Sequence, residues 1–272
     1  MKVMSFNLRY DNPEDGADAW PNRAHRVADA VRKADPTLIG TQEGLLHMLE
    51  DLRDRLPGYA WLGEGREGGV RGEHNAIFYK QAEFEALDSG QFWLSEDPSA
   101  PGSKGWDGYC PRICTWAHFR SLRCPGAEGL IYNTHLDFAG RIARERGAAL
   151  IWRAMKAHVA RTSLPAILTG DFNAYPDSAP IRFLRGETAS DGERPNLRDA
   201  YTLLGPNAIG CTAHEFNGGV GGQPPIDYIF ATPDVELVSV EIERGRFDGA
   251  YPSDHYPVVA VVRLPRGSAG RA

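Results

Sequence analysis

The chain has 272 residues, a net charge of −6 at pH 7, a pI near 5.8 and 42% hydrophobic residues, an ordinary composition for a globular enzyme. The acidic balance argues against a broad nucleic-acid footprint, which shows as a basic surface. No apolar run approaches membrane-spanning length. The first strand is predicted at once, over residues 3–8, with no leader ahead of it, which points to the cytoplasm, or to export if a leader has been removed. A loop over 11–22 precedes a helix over 23–34, whose apolar spacing is Val27, Ala30 and Val31. Residues 36–40 read as a short buried strand leading to Glu43, and 45–56 as a helix stopped by Pro57-Gly58. Strands follow at 59–63, 76–79 and 84–90, the first two separated by a Gly-rich hairpin loop. A long Pro/Gly/Ser loop covers 95–111, and a loop of that length has a function or is disordered. Beyond it lie strands at 112–120 and 129–134, a basic helix over 141–161 and a buried strand at 165–169. A second long loop covers 205–225, before closing strands at 226–231, 235–243 and 257–263.

Many strands with a few interspersed helices imply an α+β fold of two packed sheets with helices outside. The polar motifs run from Asn7 to His255, so a domain boundary would cut through them. The chain is therefore read as one domain over 1–264, followed by a frayed tail at 265–272. The basic helix carries Arg141, Arg144, Arg146, Arg153, Lys156 and Arg161 against Glu145, and reads as a solvated face with Ile142, Ala149, Leu150, Trp152 and Met155 among its apolar positions. Cys110, Cys114 and His118 are spaced as on a helix. The alternation of 113–119 instead makes that stretch a strand, and the cysteines read as reduced, packed thiols.

Six short motifs follow apolar runs. They are Ser5-Phe6-Asn7, Thr41-Gln42-Glu43, Asn133-Thr134-His135-Leu136-Asp137, Gly170-Asp171-Phe172-Asn173-Ala174, Ile226-Asp227-Tyr228-Ile229 and Ser253-Asp254-His255-Tyr256-Pro257. Strands that all finish in oxygen ligands and imidazoles suggest one site assembled from distant segments. Oxygen ligands suit a hard cation such as Mg²⁺, and that cation suits phosphoester chemistry. Asn7, Glu43 and Asp254 are the expected metal ligands. Asp171 can accept from water while Asn173 donates to a phosphoryl oxygen. His255 is expected to pair with Asp227, which would fix its tautomer and raise its basicity. His135 and Asn133 alternate on one strand and face the same side. Asp137 shares their parity and caps the following turn.

Together these motifs resemble the endonuclease/exonuclease/phosphatase superfamily, in order and approximate spacing, over residues 3–261. The resemblance implies a four-layered α/β sandwich and a Mg²⁺-dependent phosphoesterase, with Mn²⁺ or Ca²⁺ as substitutes. By matching motif it also implies Asn7 and Glu43 at the metal, His135 and His255 flanking the phosphoryl group, and Glu73 orienting His135. Arg9 and Asn133-Thr134-His135 stand where abasic-site endonucleases carry an Asp and a Tyr, so the middle motif is more similar to the deoxyribonuclease and sphingomyelinase branches. Ser-Phe-Asn-Leu-Arg-Tyr-Asp-Asn-Pro, Pro-Gly-Ser-Lys-Gly-Trp-Asp and Pro-Arg-Ile resemble a bacterial subgroup. The expected reaction is in-line attack of water on a phosphodiester or phosphomonoester, with Asp171 or His255 as base. The expected partner is a phosphorylated small molecule held by a monomer, with Arg9, Trp106, Asp107 and Arg112 lining its pocket. A nuclease is the alternative substrate reading, and a silent binding protein the alternative of another class.

Overall fold

The computed structural model describes residues 1–205, 209–219 and 223–265. The elements in chain order are β1 (Lys2–Asn7), α1 (Trp20–Ala34), β2 (Leu38–Gln42), α2 (Leu46–Arg55), β3 (Tyr59–Leu62), β4 (Ile77–Lys80), β5 (Phe84–Trp93), β6 (Ile113–Ser121), β7 (Glu128–His135), α3 (Arg141–Thr162), β8 (Ala166–Asp171), α4 (Ala179–Leu184), β9 (Arg198–Asp199), β10 (Asp227–Ala231), β11 (Glu236–Ile242) and β12 (Val258–Arg263). Short 3₁₀ turns occupy Pro13–Asp18 and Ala200–Leu203. Those turns, α4 and the two-residue β9 escaped the periodicity reading because each is too short to show a period. The fraying expected of the tail falls on residues 266–272, outside the described residues, as do 206–208 and 220–222 of the second long loop.

Two six-stranded sheets form, in the orders β11-β12-β1-β2-β4-β3 and β5-β6-β7-β8-β10-β9. Both are mostly antiparallel, as expected. Each also holds one parallel pair at its centre, β1 with β2 and β7 with β8. The stack of helices, sheet, sheet and helices is a four-layered α/β sandwich. Strand alternation assigns the two faces of β1. Met4 and Phe6 pack with Val27 and Val31 of α1 and with Met48 and Leu52 of α2, while Val3 belongs to the larger core that includes residues of both sheets. The same parity turns Ser5 and Asn7 inward.

The layer between the sheets becomes polar near the motif-bearing strand ends. Gln42 Nε2 donates to Asn133 Oδ1 at 2.7 Å, and Thr169 Oγ1 donates to the same oxygen at 3.1 Å. Asn133 Nδ2 donates to the carbonyls of Thr41 (2.8 Å) and Ala76 (3.1 Å). Asn133 thus stitches β7 to β2 and β4. All three polar side chains are fully buried, so these mutual hydrogen bonds offset most of their desolvation, and of their buried side-chain atoms Gln42 Oε1 alone has no partner among the described residues. Gly40 makes the approach possible, since a Cβ there would collide with Thr169 Oγ1 and Asn133 Oδ1.

Residues Cys114 and His118 lie on β6, not on a helix, and His118 Nε2 is 2.7 Å from Glu128. On α3, Arg141 pairs with Glu145, Arg146 with Asp191 and Lys156 with Glu193, leaving much of the basic face neutralised. Ile142, expected among its apolar positions, is 42% exposed. Among the described residues no helix is long and apolar enough to cross a membrane. Replacing Gly40 with Ala should lower unfolding free energy by about 2 kcal/mol, the scale of an overpacked core site. Urea denaturation checks it, and unchanged stability would mean the sheets can part at this point without cost.

Candidate active site

Parallel pairing and register bring the motifs together. In one sheet Asn7 of β1 is the register partner of Gln42 of β2, and Glu43 follows immediately with a left-handed φ of 63°. In the other, His135 of β7 is partnered with Asp171 of β8, and Asp171 in turn with Asp227 of β10. Three side chains therefore stand abreast on adjacent strands. His255 arrives from the loop before β12, held by an isolated β-bridge to Ala213.

The two groups meet at Asn7. Its Nδ2 donates to Glu43 Oε1 at 2.9 Å and to Asp171 Oδ2 at 3.0 Å, spanning the gap between the sheets. Its Oδ1 accepts from the Arg9 N–H at 2.9 Å, which fixes the amide orientation. Glu43 Oε2 accepts from the Tyr10 N–H. Asp171 Oδ1 takes the Asn173 N–H at 2.9 Å. Asn173, at a φ of 46°, turns its Nδ2 to the Leu136 carbonyl and to His135 Nε2, both at 3.0 Å. That donor leaves the His135 proton on Nδ1, which has no partner among the described residues.

The imidazoles differ in charge. His255 Nδ1 lies 2.9 Å from Asp227 Oδ2. Burial alone would lower the His255 pKa, but the charge and hydrogen bond of Asp227, with Asp171 and Asp254 behind them, hold it well above the ordinary value. His135 goes the other way: burial, then Arg112 and His255, push it well below. Asp171 is raised to about 7, first by burial and then by Asp227. Its Oδ2 lies 3.4 Å from His135 Nε2 and 3.9 Å from His255 Nε2.

A divalent cation fits this donor set. Ligand atoms of Glu43, Asp171 and His135 fall within 4.8 Å of one another, and so do those of Asp171, Asp227 and His255. Each group sets two carboxylates beside an imidazole, and Asp171 is common to both, a donor set that a divalent cation can take.

The expected residues have the following partners in the structure. Asn7, expected as a metal ligand, accepts from the Arg9 N–H through its oxygen and donates through its nitrogen to the carboxylates of Glu43 and Asp171, so that it braces them. Asp254 belongs to neither carboxylate group among the described residues. It accepts from Ser253 Oγ at 3.2 Å and lies 3.8 Å from Arg9 Nη1, in the loop before β12. Arg9 is forked onto Asp15 through Nε and Nη2 by two 2.9 Å bonds. Glu73 bonds Arg66 at 2.7 Å, and no bond from it reaches His135. Asp107 accepts from the N–H groups of Ile142 and Ala143 at the start of α3, so it caps a helix. Trp106 donates its N–H to Glu96, with no bond to the cluster. Asn133 lies in the polar layer between the sheets described above. Asp137 caps the turn before α3, as read from its position, through the Ala139 and Gly140 N–H groups.

Arg112 is buried, its Nε is 3.5 Å from Asp137 and its guanidinium makes no hydrogen bond among the described residues, so it keeps donors available. Two residues were missed. Arg23 is fully buried and donates to the carbonyls of Leu8, Arg9, Asp18 and Pro252, tying the loops after β1 and before His255 together. His214 directly follows Ala213, the bridge partner of His255, and stacks on Tyr256. Neither carried a local signal, since a lone Arg or His in a loop is ordinary. In metal-free protein the His255 imidazole should titrate above 6.5 and His135 should stay neutral. Asp227→Asn should bring the His255 pKa down to the ordinary range or below. Imidazole NMR reads both, and an unmoved His255 would show that Asp227 does not set its charge.

The chain matches the Endonuclease/Exonuclease/phosphatase family over residues 4–255. A solved protein of that family from Bacteroides thetaiotaomicron superposes with a TM-score of 0.88 at 35% identity, covering 96% of this chain and 97% of that one. A mannosyl-6-phosphatase from the same organism gives 0.87 at 36%, covering 97% and 100%. The Drosophila melanogaster protein angel is 28% identical over 179 residues, 62% of this chain, and the match spans about half of that protein's length, 48%. The human nocturnin catalytic domain, at 19% identity and a TM-score of 0.73, shares the fold. Motif order and fold thus agree with the family match, and the chain belongs to the endonuclease/exonuclease/phosphatase family, as a phosphoric ester hydrolase.

Proposed function

We propose that this chain hydrolyses a phosphoester of a small molecule, such as a sugar-, inositol- or lipid-headgroup phosphate, with Mg²⁺ held at Glu43. The observation that carries the reading is the meeting of the Asn7-braced carboxylates with the His255–Asp227 pair around Asp171 Oδ2. When bound, the cation supplies a Lewis acid that polarises a phosphoryl oxygen and neutralises charge on the leaving oxygen. Asp171 is the favoured proton acceptor, since a group with a pKa near 7 is matched to the task and His255 is held protonated. His255 Nε2 is 3.9 Å from Asp171, too far for a hydrogen bond, so its proton is free for a phosphoryl oxygen. Asp227 fixes the ring and sustains its charge. The His135 Nδ1–H and the Arg112 guanidinium are further donors without hydrogen-bond partners among the described residues, and such donors suit the charge on the phosphoryl oxygens.

A small substrate is favoured over nucleic acid by two features. Three cations of α3 are ion-paired with its own or neighbouring carboxylates, so the most basic stretch offers little to a phosphate backbone. The net charge of −6 points the same way. The mannosyl-6-phosphatase likeness adds a precedent for a sugar phosphate monoester.

Glu43→Ala and His255→Ala should each lower kcat by roughly 10²-fold or more. Chelation should abolish turnover, and Mg²⁺ or Mn²⁺ should restore it. The assay is p-nitrophenyl phosphate, bis-p-nitrophenyl phosphate and plasmid DNA side by side. Near-wild-type turnover in both variants after chelation would overturn the mechanism, and plasmid nicking without small-ester hydrolysis would overturn the substrate class.

A further inference from the structure

A pocket of about 490 Å³ lies beside the His255–Asp227 pair, and none of the steps above uses it. Chain connectivity fixes its place. Tyr175, on one wall, follows Asn173 by two residues. Ile226, on another, directly precedes Asp227. Ala213 forms the β-bridge with His255, and the next residue, His214, donates its N–H to the Asp254 carbonyl at 2.7 Å. A phosphoryl group at His255 therefore has this pocket as its neighbour.

The lining has a definite chemistry. His214 is 5% exposed, stacked on Tyr256 with ring centroids 3.9 Å apart. Its Nδ1 accepts from the Gly218 N–H at 3.4 Å, which leaves the proton on Nε2, and Nε2 has no partner among the described residues. Burial first, and the charge of His255 second, push its pKa down to about 4, so the ring is neutral at pH 7 and offers one donor. A buried donor without a partner is rare in a folded protein, and a ligand oxygen would complete it. At the rim Glu215, Asn217 and Gln223 are exposed and supply an acceptor and two amides, while the Tyr175 ring, 44% exposed, offers a flat apolar face. No Lys or Arg is among the lining residues described. The rim is held in a costly shape: Glu215 and Phe216 take successive left-handed φ values of 49° and 58°.

We propose that this pocket binds the non-phosphate part of the substrate, and that this part is a hydroxylated ring such as a sugar or cyclitol. The proposal rests on the phosphoesterase reading and deepens it. Paired amides and a carboxylate suit vicinal hydroxyls, which both donate and accept. The aromatic face suits the C–H side of a ring. The volume falls within the roughly 300–1,000 Å³ of small-molecule sites. Glu215 and the absence of cations disfavour a second phosphate, so a polynucleotide has nothing to hold its next residue on this side.

The test separates ring binding from phosphate binding. With a panel of hexose and inositol monophosphates, KM for the best substrate should rise at least tenfold in His214→Phe and in Asn217→Ala, with kcat within threefold. His214→Phe keeps the stack on Tyr256 and removes the donor. Inhibition by inorganic phosphate, which occupies only the phosphoryl site, should be unchanged in both. Thermal melts identify a variant that has lost its fold, in which case Gln223→Ala at the exposed rim replaces it. Equal weakening of phosphate and sugar phosphate, or no change in either, would overturn the proposal. A second arm titrates Glu43→Ala with the same monophosphates while following the His214 imidazole by NMR. If the wild type hydrolyses no phosphoester yet the His214 signal shifts saturably, the pocket stands and the hydrolysis reading falls. If hydrolysis proceeds and the signal never responds, the pocket proposal falls alone.

Discussion

Two carboxylates from different sheets lie against one amide, and that contact organises the rest. Glu43 and Asp171 would repel if they faced each other directly. Asn7 Nδ2 gives each a hydrogen, at 2.9 and 3.0 Å, and so joins the sheets where their charges are closest. The amide can do so only because Arg9 N–H holds its oxygen and because the sheets approach tightly beneath it. That approach depends on Gly40 and on the hydrogen bonds among Gln42, Asn133 and Thr169. A bare side chain in that layer would leave several buried polar groups without partners, so site and interface stand or fall together.

The electrostatic pattern grows from the same burial. Desolvation disfavours every charge in the cluster, and the neighbours decide which groups keep theirs. Asp227 is aimed at one imidazole and holds it cationic. The other has an amide at one nitrogen, nothing at the second and arginines nearby, and stays neutral. Asp171, squeezed by Asp227 and by burial, is left nearly balanced between its two protonation states. Distinct acid–base characters thus arise from residues drawn from the same two types, a general way of running proton chemistry near neutrality.

The strand ends were legible in the sequence because a strand leaves a short apolar run, and polar residues placed just after it have few places to point. Asn7, Glu43, His135 and Asp171, at or just past strand ends, stood out that way, while Asp227 opens β10 and His255 lies in the loop before β12, and both were read from their short polar motifs. The sandwich of two sheets was read from the many strands with few interspersed helices. What failed were partnerships made by side chains across loops. Arg9 met Asp15, Glu73 met Arg66, Asp254 met Arg9 and Asp107 met the start of α3, and each of these contacts depends on a loop path that periodicity does not encode. Arg23 was invisible for the same reason, since its meaning lies in carbonyls from three separate segments. The second long loop, which carries His214, reads in sequence only as Gly-rich and irregular.

Strands β7, β8 and β10 place His135, Asp171 and Asp227 as successive register partners. Their lateral spacing is therefore the strand spacing itself, about 4.8 Å, a constant of hydrogen-bonded backbone rather than a product of side-chain packing. A slip of one residue on any of the three strands would send its functional group to the opposite face, so the ladder has no intermediate settings. The reacting groups are in effect mounted on a lattice with a fixed pitch. Loops at its edge can lengthen, shorten or change their chemistry without retuning the distances at the centre, and one sandwich can be fitted to a new leaving group by altering only the chain that hangs from it.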